Sequence, residues 1–104
     1  MARPAIHPGE ILADELQELG MSGAELARIL HVPTNRVTQI LNGQRGITAD
    51  TALRLGQWFG TDPELWLNLQ KSYELRLAEQ EVGAEIQKTI QRRLSSTYQE
   101  PMQV

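Results

Sequence analysis

The segment 22–43 constrains the fold more than any other part of the chain, because its start and stop signals define two short helices. Ser22 followed three residues later by Glu25 forms a capping box, so the first helix begins there. Pro33 suits the first position of the second helix, where a backbone N–H has no partner. Gly43 suits a left-handed cap at the end of that helix. The pattern therefore predicts helices over about 23–30 and 33–42, joined by a sharp turn.

The second of these helices has two different faces at a rotation of about 100° per residue. Val37, Ile40 and Leu41 share the apolar arc. The opposite arc is short, hydrogen-bonding and mostly uncharged, and consists of Thr34, Asn35, Thr38, Gln39 and Asn42, with Arg36 at its margin. Asn and Gln can bond adenine at two atoms, Thr can contact thymine, and Arg suits guanine or phosphate. A solvated face usually carries Lys and Glu, so we interpret the segment as a helix-turn-helix that reads DNA bases.

The distribution of charge agrees with DNA binding, although the net charge of the chain is −3. Residues 26–61 contain four arginines and one acid, Asp50, and carry a net charge of +3. The segments before and after them carry −4 and −2. A basic middle between acidic flanks is a local footprint for a polyanion. The acidic flanks are expected to face away from the DNA.

The remaining start and stop signals predict an all-α chain with five helices and no strand. The other three are expected over about 8–19, from 48–50 to 59, and from Asp62-Pro63 onward. Residues 1–80 are expected to form the helix-turn-helix domain, and 81–104 a C-terminal helical extension with a frayed tail. Apolar spacing predicts that the core includes Ile11, Leu12, Leu16, Leu19, Leu26, Ala27, Ile29, Leu30, Ala52, Leu53, Leu55, Trp58 and Trp66.

Two apolar stripes in the C-terminal third are out of phase with each other. The first consists of Leu65, Leu69, Tyr73 and Leu77, and the second of Val82, Ile86, Ile90 and Leu94. On one straight helix their centres lie about 100° apart, so they cannot face one core. Either the helix bends near Gly83, or the second stripe faces a different partner. That partner could be a second subunit, the same subunit or another protein, and a second subunit is the preferred expectation.

The segment 42–55 and its place behind one leading helix resemble the Cro/C1-like (XRE) helix-turn-helix family. The resemblance extends to HigA-type antitoxins, whose opening is similar to His7-Pro8-Gly9-Glu10-Ile11-Leu12. The same antitoxins carry a block similar to Phe59-Gly60-Thr61-x-Pro63-Glu64-Leu65-Trp66-Leu67-Asn68-Leu69-Gln70, followed by Tyr73-Glu74-Leu75. The match covers about residues 6–80. It departs from the family at His31, where the turn usually has glycine. We therefore expect positive φ at His31 or its neighbour, since His is one of the residues enriched there.

The resemblance implies a homodimer that binds a palindromic operator in its own promoter, and whose recognition helices lie about 34 Å apart. It also implies a small basic toxin partner of RelE/HigB type, which cleaves messenger RNA and which the antitoxin masks. By the same resemblance, Thr34, Asn35, Thr38 and Gln39 read bases. The residues expected to contact phosphates are Gly23, Asn42 and Arg45, and Arg36 is a further candidate. Replacing Arg45 would then weaken binding to all DNA sequences alike.

Several other classes of function find no support in the sequence. The chain has no cysteine, so it cannot form a disulfide or a thiolate metal site. No signal peptide and no apolar run of about 18 residues is expected, which favours a cytoplasmic protein. Glu10, Asp14 and Glu18 line one helix face, but no His or Cys cluster accompanies them; we expect a solvated acidic face or a toxin contact. No nucleophile–base pair is present, so neither an enzyme nor a cofactor or metal is expected. Two alternatives remain: a solitary repressor without a toxin, and an interaction module without DNA binding.

Overall fold

The computed structural model describes residues 4–94, and these contain helices but no strand. The frayed tail expected after residue 94 lies outside the described residues. Five helices form the body, and a sixth follows the fifth after one π turn. Their bounds are α1 Pro8–Leu19, α2 Gly23–Leu30, α3 Thr34–Leu41, α4 Ala49–Phe59, α5 Pro63–Ala78, the π turn Glu79–Gly83, and α6 Ala84–Thr89. The all-α prediction with five helices and an extension is confirmed.

Side-chain hydrogen bonds cap the N-termini of the first two helices. His7 caps α1, because its Nδ1 accepts a hydrogen bond from the Gly9 N–H at 2.8 Å. Ser22 and Glu25 form the predicted capping box at α2, with each side chain bound to the backbone N–H of the other. These bonds with Ser22 hold the pKa of the Glu25 carboxyl below its ordinary value. Both helices are therefore fixed in place by residues close in sequence.

The turn between α2 and α3 reverses at His31, which has φ 60° and ψ 46°. The His31 N–H donates to the Arg28 carbonyl, and the next N–H, of Val32, donates to the Ala27 carbonyl. This pair of bonds is a Schellman motif, which satisfies the last carbonyls of α2. Within residues 4–94, His31 is the only non-glycine residue with positive φ. The predicted positive φ is confirmed.

One apolar core joins the first five helices. Helix α1 packs against α3 and α5, α2 against α3 and α4, and α4 against α5. The largest side chains at its centre are almost fully buried: Leu12, Leu26, Val37, Ile40 and Leu55. Trp66 also lies in this core, as predicted. The close approach of α1 to α3 requires Gly9, since a Cβ there would overlap the Ile40 carbonyl.

Four residues predicted for the core are exposed instead. Leu19, the last residue of α1, is 53 % exposed, and the other three lie on α2 and α4. Ile29 is 38 % exposed, Leu53 61 % and Trp58 37 %, and the three line one shallow groove beside the turn at His31. The prediction was wrong because apolar spacing locates the centre of a buried face but not its width. Helices α2 and α4 bury only the inner part of their apolar arcs, and no described element covers the outer part. The face of α5 shows a similar shift, since Leu65 is exposed while Gln70 is buried.

A buried amide connects α5 to the loop between α3 and α4. The Gln70 Oε1 accepts a hydrogen bond from the Ile47 N–H at 2.8 Å, and its Nε2 donates to Glu74 Oε2 at 3.0 Å. Gly46 packs directly against this amide, because a Cβ there would lie 2.8 Å from the Gln70 Nε2 and the amide would have to shift. The buried Gln70 amide of α5 therefore holds the loop that follows α3.

The π turn explains the phase difference between the two C-terminal stripes. It accommodates one residue more than an α-helical turn, and one residue corresponds to about 100° of rotation. Leu77 and Val82 are five residues apart across this turn, so the two stripes come towards one side of the helix. A bend near Gly83 was one of the two alternatives that the sequence left open. The irregular segment is the π turn Glu79–Gly83, and Gly83 itself is helical at φ −59° and ψ −47°.

Only the first part of the second stripe is helical, although the sequence suggested a helix through all four residues. Helix α6 ends at Thr89, Ile90 is extended at φ −108° and ψ 113°, and Leu94 follows the helix. No buried residue of α6 holds its last turn. Val82, Ile86, Ile90 and Leu94 are 43–83 % exposed, so no other described part of the chain covers them. No helix within residues 4–94 is long and apolar enough to cross a membrane.

Candidate nucleic-acid interface

Helix α3 presents its polar face away from the core. Val37 and Ile40 are buried on one side, whereas Thr34 and Asn35 are exposed in the first turn. Thr38 and Gln39 are half-buried on the same polar side, and Asn42 is exposed at the end of the helix. The Thr38 hydroxyl donates a weak bond to the Asn35 carbonyl at 3.4 Å. The five polar positions predicted from the sequence thus lie on one accessible surface.

The loop after α3 folds back along the same surface. The Gly43 N–H donates to the Ile40 carbonyl, and the Gln44 N–H donates to the Gln39 carbonyl at 2.8 Å. With Gly43 at φ 76°, these bonds form a complete Schellman motif. The motif brings the exposed Arg45 side chain to the polar face, where its Nε donates to Gln39 Oε1 at 3.0 Å. Two of the predicted contact residues are therefore joined before any ligand binds.

Arg36 belongs to a second charged group on this side of the molecule. Its Nη1 lies 2.6 Å from Asp50 Oδ2, and Arg54 Nε lies 2.9 Å from the same oxygen. The two arginines hold the pKa of the Asp50 carboxyl below its ordinary value, with Arg54 as the larger cause. Arg36 was predicted as a possible phosphate contact, and in this structure Asp50 offsets part of its charge. The Arg36 side chain is still about 29 % exposed.

Arg54 also holds the turn that precedes α3. Its Nη1 donates to the Leu30 carbonyl at 2.8 Å and to the His31 carbonyl at 3.4 Å. The sequence placed Asp50 at the start of α4 and counted Arg54 in the basic middle, but it did not predict that the two residues pair. Their spacing of four residues on α4 signals an ion pair. No sequence pattern signals the bonds from Arg54 to residues more than 20 positions away.

Gly23 lies at the start of α2, close to the end of α3. A Cβ on Gly23 would be 3.1 Å from the Leu41 Cδ1, so glycine permits this close packing. The first N–H groups of a helix have no partner within it and can bind an anion. At α2 the Glu25 N–H is already occupied by the Ser22 hydroxyl. Gly23 is therefore placed beside the polar face, although the capping box uses part of this helix terminus.

The acidic residues of α1 form a separate surface. Glu10, Asp14 and Glu18 are all exposed, and none forms an ion pair within residues 4–94. The described part of the chain contains no group of three or more His, Cys, Asp or Glu side chains that could hold a metal ion. This surface therefore offers negative charge and no metal-binding geometry.

Comparison with known proteins gives consistent results. A helix-turn-helix family model (HTH_3) matches residues 12–66. Virulence-associated protein I of Dichelobacter nodosus is 56 % identical over 79 residues, which are 75 % of this chain and 73 % of that protein. A HigA-family addiction module antidote protein from Coxiella burnetii is 55 % identical with a TM-score of 0.86, over 88 % of this chain and all of that one.

A further solved structure contains DNA. It is the Pseudomonas aeruginosa antitoxin HigA with the higBA promoter, which is 47 % identical with a TM-score of 0.85, over 88 % of this chain and all of that one. The family model describes a helix-turn-helix, the motif that places one helix in the major groove of DNA. The chain therefore belongs to the Cro/C1-like (XRE) helix-turn-helix family, and within it resembles the HigA-type antitoxins.

Proposed function

We propose that this chain is a cytoplasmic antitoxin and autorepressor, which binds a palindromic operator as a homodimer and neutralises a small basic toxin of RelE/HigB type. The observation that carries the DNA-binding part is the exposed polar face of α3, bordered by Arg45 and lying in the basic middle of the chain. The P. aeruginosa antitoxin with its promoter DNA supports it. The antitoxin part rests on the similarity to HigA proteins.

In this proposal the polar face of α3 enters the major groove. Thr34, Asn35, Thr38 and Gln39 contact base edges there, because short polar side chains on an exposed helix face can reach them. The proposed phosphate contacts surround this face and are Gly23, Arg36, Asn42 and Arg45. The backbone N–H of Gly23 and the side chains of the other three are suitable donors to phosphate oxygens.

An electrophoretic shift assay with the promoter DNA of the chain's own operon tests this assignment. Asn35→Ala should weaken operator binding by about 1–3 kcal/mol, the range for one good base contact. Binding to random DNA should change much less. Asn68→Ala is the matched control, since Asn68 is also exposed but lies on α5. Equal losses for Asn35→Ala on operator and random DNA would remove Asn35 from the reading face.

Dimerisation is proposed because one helix contacts too few phosphates for tight binding on its own. Two apolar surfaces are available for it: the stripe at Val82 and Ile86, and the groove formed by Ile29, Leu53 and Trp58. Full burial of a large apolar side chain contributes about 1.5–3 kcal/mol, so either surface could stabilise a dimer.

Sedimentation distinguishes the two surfaces. A chain truncated after Glu81 loses the stripe and keeps the groove, whereas Leu53→Asp places a charge in the groove and keeps the stripe. The expectation from the sequence is that truncation yields monomers with weakened operator affinity. A truncated chain that remains a tight dimer with full affinity would exclude the stripe as the interface. A monomeric full-length chain would contradict the dimer proposal itself.

The toxin partner is proposed on the similarity to HigA antitoxins, and the acidic surface of α1 suits a basic protein. Co-expression with the product of the adjacent gene, followed by purification, tests this. Reversing charge in the variant Asp14→Lys should weaken the complex, while Glu85→Lys on α6 serves as the control. If the adjacent product does not co-purify and is not toxic, the chain is a solitary repressor instead.

A further inference from the structure

The hydrogen bond between Arg45 and Gln39 decides which chemical groups the Gln39 side chain can offer to a ligand. The Arg45 Nε donates to Gln39 Oε1 at 3.0 Å, so the carbonyl end of this amide is directed to the guanidinium. The Gln39 Nε2, with its two N–H donors, is then the end left for other contacts. The remaining N–H donors of Arg45 lie beside it. Together the two side chains form a group of donors with a positive charge.

Hydrogen bonds fix the backbone on both sides of Arg45, so the fold itself places Arg45 beside Gln39. On one side the Gln44 N–H is bound to the Gln39 carbonyl at 2.8 Å. On the other side the Ile47 N–H is bound to the buried Gln70 Oε1, also at 2.8 Å. Arg45 is thus attached to α3 through its neighbour in sequence and to α5 through the next turn of the loop. Its side chain starts from a fixed position next to Gln39.

Adenine and guanine present different groups to such a pair. Adenine needs one acceptor and one donor from a glutamine amide, since it offers the N6 amino group and the N7 atom. Guanine offers two acceptors, O6 and N7. A glutamine whose carbonyl faces a guanidinium can donate to both guanine atoms. The same glutamine is poorly placed to accept from the adenine amino group, because the neighbouring cation repels a further donor.

We propose that Arg45 is a positioning residue that makes Gln39 select guanine rather than adenine at one position of the DNA site. This inference rests on the proposed placement of α3 in the major groove. It adds to the proposed phosphate contact of Arg45, because a phosphate contact contributes equally to all sequences and selects no base. It differs from the two-atom contact with adenine that a free glutamine side chain would favour.

Binding-site selection from a randomised duplex library with the full-length chain provides the probe. The position read by Gln39 is the one whose preference disappears in Gln39→Ala. Affinities are then measured for four duplexes that differ only at this position, with the wild-type chain, Arg45→Ala, Gln39→Ala and the double variant. Lys71→Ala, on exposed α5 surface, is the control for loss of a positive charge. Circular dichroism verifies that each variant is folded.

The wild-type chain should prefer guanine at this position by about tenfold, within the range of one base contact. Arg45→Ala should lose this preference or shift it to adenine, and should have no effect on base preference when Gln39 is already alanine. If Arg45→Ala lowers affinity by the same factor on all four duplexes, Arg45 contacts phosphate only and the inference is wrong. A guanine preference that persists in Gln39→Ala and depends on Arg45 also overturns it. If the wild-type chain enriches no site, both this inference and the proposed DNA binding fail.

Discussion

Replacement of Gln70 is the most direct test of how the loop after α3 is held. Gln70 is 9 % exposed, and its Oε1 is the acceptor for the buried Ile47 N–H. Gln70→Leu keeps most of the side-chain volume but leaves this N–H without a partner. A buried unsatisfied donor costs about 1–3 kcal/mol, a large part of the roughly 5–15 kcal/mol that stabilises a domain. We expect the free energy of unfolding to fall by about 2 kcal/mol and Tm by roughly 10 °C.

Gln70→Glu is the matched variant, because it keeps an acceptor for Ile47 and removes the donor to Glu74. The introduced carboxyl would be buried beside the Glu74 carboxylate, so its pKa in the folded state should lie above its ordinary value. A carboxyl with a raised pKa binds more protons in the folded than in the unfolded state. The folded state is therefore destabilised at neutral pH and recovers as pH falls through the raised pKa.

Urea unfolding followed by circular dichroism measures both variants. The reasoning predicts that Gln70→Leu is less stable at all pH values, whereas Gln70→Glu regains stability on acidification relative to the wild-type chain. Glu74→Ala is the comparison, since it removes the acceptor of the Gln70 Nε2 and leaves the bond from the Ile47 N–H to the Gln70 Oε1 in place. If Gln70→Leu unfolds within about 0.5 kcal/mol of the wild-type chain, the buried bond to Ile47 does not hold the loop.

Three further changes have defined outcomes. His31→Gly should stabilise the chain by about 0.5–1 kcal/mol, because relief of the left-handed conformation outweighs the greater freedom of glycine when unfolded; a lower Tm would contradict this. Gly9→Ala should destabilise it by about 3 kcal/mol in urea unfolding, since the new Cβ would lie 1.8 Å from the Ile40 carbonyl oxygen. Gly83→Ala, which meets no atom closer than 3.8 Å, is the control and should not be destabilised. Asp50→Asn should remove a stabilising contribution of the Asp50 carboxylate. In the wild-type chain this contribution is complete above the ordinary Asp pKa of 3.8 and is lost as pH falls through the lowered pKa of the folded state. Identical acid unfolding of both chains would contradict this.

The parts of the fold that depend on neighbouring residues could be predicted from the sequence. The capping box at Ser22 and Glu25, the positive φ at His31 and the left-handed cap at Gly43 all result from interactions within about five positions. Each requires a particular side chain or backbone conformation that few residue types provide. The two helices of the motif followed from these signals, and the polar face of α3 followed from helical spacing.

The width of the buried faces could not be predicted in the same way. Trp58 lies three residues after Leu55 on α4, whereas Leu53 lies two residues before it, towards the opposite side of the helix. Burial depends on which other helix covers each position. The covering elements come from distant parts of the chain, and apolar spacing contains no information on where they end. The exposed groove at these residues would have required knowledge of the packing of α2 on α4.

The phase difference between the C-terminal stripes was visible in the sequence, but its structural cause was not. Five residues separate Leu77 from Val82, and either a bend or a π turn can accommodate such a spacing. Gly83 favoured a bend because glycine is common at kinks. The helix instead continues through Gly83, since a π turn keeps most backbone groups hydrogen-bonded while it adds the extra residue.

Backbone hydrogen bonds in the loop after α3 restrict the position of Arg45 beside the polar face of α3. A single exposed hydrogen bond such as that from Arg45 to Gln39 is too weak to order two long side chains, because each loses rotamer freedom on fixation. The backbone bonds of Gln44 and Ile47 reduce this cost, since they restrict Arg45 when the domain folds. Less freedom then remains to be lost when a ligand binds, and preorganisation of this kind increases affinity. The buried Gln70 of α5 therefore contributes to the recognition surface, although it lies in the core and 31 positions from Gln39 in the sequence.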